Sequence, residues 1–127
     1  MELKVNLETI IFYVQDVESL KLFYINTFNL KVVEEYESLW ALLEAGNMKI
    51  GLHRIGEQYI DEHKGKFKFH NNTKIVFEID VDINKVRANL INQNVPMREL
   101  KTFDNYDYWL CDGEDPEGNV FQLKQKK

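Results

Sequence analysis

One stretch of this chain returns sixty-five residues later, and that repeat constrains the fold more than any other feature. Phe12-Tyr13-Val14-Gln15-Asp16 recurs as Phe77-Glu78-Ile79-Asp80-Val81. At the same offset Asn29-Leu30 matches Asn94-Val95, and Val33-Glu34 matches Arg98-Glu99. Each copy reads as a strand, a helix and then short strands. The repeat is too long for a solenoid unit. It predicts an α+β domain spanning 1–127, built from two βαβββ modules at about 5–54 and 73–125, with a connector at 55–72. The site is expected between the modules.

Local signals support that division. The first strand covers Leu7–Val14, and Asp16 follows where a carboxylate can accept a first-turn N–H as a helix cap. Val17, Leu20, Phe23, Tyr24 and Thr27 lie at helical spacing, and Asn29 suits a left-handed helix end. Strands are expected at Lys31–Tyr36, Leu39–Glu44 and Met48–His53. The second copy has a strand at Thr73–Asp80 and a helix capped by Asp82 that carries Ile83, Val86, Leu90 and Ile91. Asn94 ends it, and strands follow at Pro96–Thr102, Tyr106–Cys111 and Asn119–Lys124. Asp115-Pro116-Glu117-Gly118-Asn119 reads as a tight turn, because Pro presets φ and Gly accepts positive φ. Lys124-Gln125-Lys126-Lys127 reads as a solvated tail, and His63 and His70 as solvated residues of the connector region.

Composition limits the partners. A hydrophobic share of 44% suffices for a core, and a net charge of −5 argues against nucleic acid as a partner. No apolar run approaches the roughly 20 residues that cross a bilayer, and the N-terminal residues lack a signal-peptide pattern. Cys111 is the only cysteine, so no disulfide forms within the chain, and it reads as a small buried hydrophobe. The expectation is a cytoplasmic protein with neither a membrane nor a nucleic-acid partner.

Strand alternation sorts the side chains into two faces. Ile10, Phe12, Val14, Ile50, Leu52, Ile75, Phe77, Ile79, Phe121 and Leu123 form oily faces that should pack on the helices. Thr9, Tyr13, Lys49, His53, Lys74, Glu78, Gln122 and Lys124 fall on mixed faces that should curve around a cleft. Lys74 is expected to pair with Glu78. Trp40 and Trp109 read as core packing, with both also near enough by register to line the ligand wall beside Tyr13.

Taken together, Val14-Gln15-Asp16-Val17, Phe23-Tyr24, Phe28-Asn29-Leu30 and the run Asp115 to Leu123 resemble the vicinal oxygen chelate superfamily, the glyoxalase / bleomycin resistance protein / extradiol dioxygenase group. The resemblance covers essentially the whole chain, and its most specific part is the final run. It implies a curved, incomplete barrel-like sheet around a cleft, and a homodimer. In members that use a metal, one ligand sits on each of four strands. The matching positions here are Thr9, Gly51, Lys74 and Gln122. A divalent metal binds imidazole, carboxylate or thiolate. Gly51 has no side chain, Gln122 is a weak donor and Lys74 carries its own positive charge. No metal or other cofactor is therefore expected.

Three readings follow. The first is a non-catalytic small-molecule binding protein of the bleomycin resistance type, serving drug resistance or sequestration, with the ligand held by Thr9, Tyr13, Lys49, His53, Lys74, Glu78, Gln122 and Trp109. The lysines favour an anionic or carbonyl-bearing ligand. The second is a metal-free enzyme using Lys74 as base or imine-forming amine, with Glu78 and His53 as acid or base. The third is a lyase or dioxygenase whose metal ligands are relocated to His53 and Glu78, together with Tyr13 or Glu44.

Overall fold

The computed structural model describes residues 4, 7–57 and 74–127. The chain divides into two compact units, Met1–Lys64 and Gly65–Lys127. Most of the connector lies outside the described residues, as do His63, His70 and Thr73.

The first unit runs β1 (Thr9–Val14), α1 (Val17–Phe28), β2 (Lys31–Tyr36), β3 (Trp40–Ala45) and β4 (Met48–Arg54). Its sheet has the order β1-β4-β3-β2, with β1 parallel to β4 and the other pairs antiparallel. The Asp16 carboxylate accepts the Ser19 N–H at 3.0 Å, which supplies the expected cap. Asn29 closes α1 in the left-handed region at φ 58°, donating its N–H to Ile25. Between those ends Val17, Leu20 and Tyr24 are buried. They meet the face carrying Phe12, Val14, Ala41, Leu43, Ile50 and Leu52, which is the core of this unit. The edge strand β2 is exposed along its whole length, and Val33 forms a bulge in its pairing.

The second unit runs β5 (Lys74–Glu78), α2 (Ile83–Asn92), β6 (Tyr108–Glu114) and β7 (Val120–Lys126). Its sheet has the order β5-β7-β6, again one parallel and one antiparallel pair. Asp82 accepts the Asn84 N–H at 2.9 Å, and Asn94 adopts φ 63° just past the helix, as Asn29 does in the other copy. Ile83 and Leu90 are buried under α2, together with Ile75, Cys111, Phe121 and Leu123. Ile91, expected on that stripe, is exposed.

Three expectations need correction. Residues 96–102 form no strand; they touch β6 through two isolated bridges, Met97 with Gly113 and Lys101 with Leu110. More residues separate the bridges on this segment than on β6, so the ladder cannot stay in register. The excess falls where Val33 bulges in the first copy. Strand β6 also runs on to Glu114 rather than stopping at Cys111. A Cβ on Gly113 would collide with Met97 and Phe121, so glycine lets the strand pass close to both. Finally, the C-terminal residues are no tail. Gln125 accepts the Ile83 N–H at 2.8 Å and so caps α2, and Lys126 still lies in β7.

The turn between β6 and β7 is the motif that carried most of the resemblance. Asp115 is buried, and its Oδ1 accepts the N–H groups of Glu117 and Asn119, each at 2.9 Å. The Asn119 amide donates to Oδ2 at 2.9 Å, and Gly118 takes φ 79°. Asp, Gly and Asn at these places hold a sharp corner, so the motif's role is architectural. Among the described residues no helix is long and apolar enough to cross a membrane.

Candidate functional site

Opposite the helix side, each sheet has an open face. The register of the first sheet sets Thr9 beside Lys49, Ile11 beside Gly51, and Tyr13 beside His53, with Trp40 and Leu42 next along β3. This face is largely aromatic. The Tyr13 ring centre lies 5.3 Å from that of His53, tilted by 45°, and the Trp40 ring centre lies 6.0 Å from His53, edge-on. Tyr13 is 59% exposed and Tyr36, paired with Trp40, 61%. His53 Nδ1 stands 2.7 Å from the carbonyl oxygen of Arg54. A carbonyl only accepts, so Nδ1 carries the hydrogen and Nε2 of the neutral ring is an acceptor. At the edge, Lys49 donates to Glu8 at 2.9 Å and Thr9 donates to the same carboxylate at 3.1 Å. The Lys49 hydrogen bond, followed by that from Thr9, holds the Glu8 carboxyl below its ordinary range.

Polar groups dominate the second sheet's open face. Lys74, Val76 and Glu78 lie alongside Val120, Gln122 and Lys124, which pair in turn with Glu114, Asp112 and Leu110. At its centre is Asp112, whose side chain is only 4% exposed. Its Oδ2 accepts the Lys74 ammonium at 2.8 Å and its Oδ1 the Gln122 amide at 2.8 Å. Arg98 Nη1 reaches Oδ2 at 3.4 Å and Lys101 Nζ at 4.0 Å. Burial pushes the Asp112 carboxyl up, but the hydrogen bonds from Lys74 and Gln122 and the charges of Lys74 and Lys101 outweigh it and hold the group below 3.8. Lys124 lies over the Tyr108 ring, 4.1 Å from its centre.

Thr9, Tyr13, Lys49 and His53 share one open face, and Lys74, Glu78 and Gln122 share the other. Trp109 joins neither. It lies on the helix side of β6 with Cys111, under the Lys127 ammonium at 4.9 Å, whereas Trp40 is on the open face. Lys74 pairs with Asp112 and not with Glu78, because Asp112 is buried beside Gln122 and offers its carboxylate directly. Cys111 is fully buried as expected; burial pushes its thiol up, and its Sγ donates to Arg98 O at 3.3 Å. Asp112, Arg98 and Lys101 were missed as site residues. Alternation from Leu110 would have found Asp112, had the strand been carried past Cys111.

The four positions that the resemblance assigns to metal ligands hold chemistry unsuited to a divalent cation. A Cβ on Gly51 would stand 2.5 Å from Trp40 Cη2, so an indole fills the space of the missing side chain. Lys74 and Gln122 both point hydrogen-bond donors at one carboxylate. Among the described residues no three His, Cys, Asp or Glu side chains cluster in a way that could hold a metal.

Comparison with known proteins adds the fold. No protein-family model and no curated protein matches the sequence. Solved structures do match along the whole chain. An integron cassette protein from V. cholerae superposes with a TM-score of 0.74 at 21% identity, over 100% of this chain and 99% of that one. A lactoylglutathione lyase from Agrobacterium tumefaciens gives 0.73 at 15% identity, over 96% and 94%. An antibiotic binding protein from a Streptomyces species gives 0.73 at 17% identity, over 100% of both. Two open sheets, each with one helix and one parallel strand pair, together with these superpositions, show that the chain has a glyoxalase-like fold.

Proposed function

We propose that this chain is a non-catalytic small-molecule binding protein of the glyoxalase/bleomycin resistance type, serving sequestration or drug resistance. The observation that carries this reading is the Lys74–Asp112–Gln122 network. It sits where metal-using relatives would place ligands, and its groups hold one another. A catalytic centre needs groups aimed at a reacting atom. Here the Lys74–Asp112 ion pair would have to break before the amine could attack a carbonyl carbon. The clustered rings of Tyr13, His53 and Trp40 offer apolar surface with one acceptor nitrogen, the usual mixture in a ligand site. The Streptomyces structure of the same fold is itself an antibiotic binding protein, which supports the reading. A homodimer and a cytoplasmic location belong to the same proposal.

Native mass spectrometry of the purified chain tests it, with and without nickel, zinc and manganese, and against a panel of cationic, anionic and neutral aromatic compounds. A metal-free dimer that retains one of the compounds supports the proposal. Stoichiometric metal on the folded protein, or a borohydride-trapped adduct on Lys74 with a carbonyl compound, overturns it.

A further inference from the structure

We propose that Lys74, Arg98 and Lys101 form an oxyanion site on the open face of the second unit, and that the ligand presents a carboxylate or phosphoryl group there. This inference rests on the binding reading above and names the ligand chemistry.

Convergence of charge is the first argument. Three cationic side chains, from β5 and from the segment beside β6, come within 4.0 Å of one oxygen, Asp112 Oδ2. One carboxylate balances one of them. Glu114 adds a weaker contact, 3.9 Å from Arg98 Nη2. Elsewhere on the face, Glu78 and Lys124 are register partners and offset each other. Cation remains in excess, in a chain whose net charge is −5. Like charges gathered this closely repel one another, and a further anion relieves that repulsion.

Exposure is the second. The carboxylate is buried, whereas the side chains of Lys74, Arg98 and Lys101 are 37%, 57% and 47% exposed. A solute therefore meets the cations and not Asp112. Donor capacity is the third. The bond to Asp112 uses one of the three Lys74 N–H groups, and the planar guanidinium fork of Arg98 matches the two oxygens of a carboxylate or phosphoryl group. Asp112 and Gln122 act as positioning residues. By fixing the Lys74 ammonium before any ligand arrives, they lower the ordering cost of binding.

The test is a backbone amide NMR titration of the full chain at constant ionic strength. Inorganic phosphate, benzoate and the neutral aromatic indole are added separately to the wild type, R98Q and K101Q. Both substitutions fall on exposed side chains, and the spectra themselves report whether each variant is folded. Saturable shifts are expected at residues 74, 98, 101 and 110–112. Loss of one charge-assisted hydrogen bond weakens binding about tenfold in R98Q, and the more distant charge about threefold in K101Q. Saturation by benzoate alone identifies a carboxylate site, and by phosphate alone a phosphoryl site. Shifts that spread evenly to Lys31 and Lys85, or that R98Q leaves unchanged, overturn the proposal. If indole shifts Tyr13 and His53 while neither anion saturates, the oxyanion site is wrong and the binding reading stands. If none of the three binds, both fall.

Discussion

Next to the last strand of each unit, the same structural place carries opposite chemistry. In the first unit Leu42 pairs with Gly51, and Trp40 covers the glycine. In the second, Asp112 pairs with Gln122, and Lys74 reaches in from the parallel strand. Strand directions and helix caps are shared between the copies, so the backbone does not require either solution. The helix sides are alike because both must bury apolar surface. The open faces are free to differ, since nothing in the fold dictates what they hold. One became an aromatic shelf and the other a charge network around a buried carboxylate.

The largest effect should come from Asp112→Ala. It removes the anion on which Lys74, Arg98 and Lys101 converge and leaves the Gln122 amide without its acceptor. We expect a loss of about 2–4 kcal/mol by chemical denaturation; the low end reflects how readily the half-exposed cations regain water. A loss near zero would mean that the network is surface decoration, and the contrast between the faces would collapse.

Gly51→Ala probes the aromatic face. The new methyl meets Trp40 Cη2 and, at 3.1 Å, Ile11 Cγ1, so the indole must move. Overpacking of this kind costs roughly 1–3 kcal/mol, and tryptophan fluorescence should shift with it. Unchanged stability and emission would show that Trp40 does not occupy that space in solution.

Acid probes the charge network of the second face. The Asp112 carboxyl is held below its ordinary value in the folded state. Its stabilisation is therefore complete above the unfolded value near 3.8 and is lost as pH falls through the lower folded value. Lys74→Met should flatten that acid limb while lowering stability at neutral pH by about 1 kcal/mol, discounted because Lys74 is partly solvated. Equal acid limbs for wild type and variant would assign the effect to other carboxylates. The smallest effect should be that of Lys49→Ala. Its ion pair with Glu8 lies on the surface, and no resolvable change in denaturation midpoint is expected.

Much of the fold was legible because its signals are local. Asp16 and Asp82 cap helices through their own side chains, Asn29 and Asn94 tolerate positive φ, and Asp115 to Asn119 fold back on themselves. Alternation placed Thr9, Tyr13, Lys49, His53, Lys74, Glu78 and Gln122 on the mixed faces of their strands, because a strand's period is a property of the backbone. Trp109 was read both as core packing and as ligand wall, and its place on the Cys111 side of β6 agrees with the first. Residues 96–102 escaped because their failure to form a strand depends on matching β6 residue by residue, which the segment's own composition does not encode.

By itself, then, the sequence determined the doubled plan, the helix ends, the sharp turn before β7 and the absence of ordinary metal donors at Thr9, Gly51, Lys74 and Gln122. These follow from side chains acting on their own or neighbouring backbone, and from the chemistry of single residues. Only the tertiary structure decided that Lys74 holds Asp112 rather than Glu78, that Trp40 fills the gap at Gly51, and that Arg98 and Lys101 converge on the same oxygen as Lys74. Those contacts join separate strands, and the partner each charge finds depends on which strand lies beside it and which carboxylate is buried there.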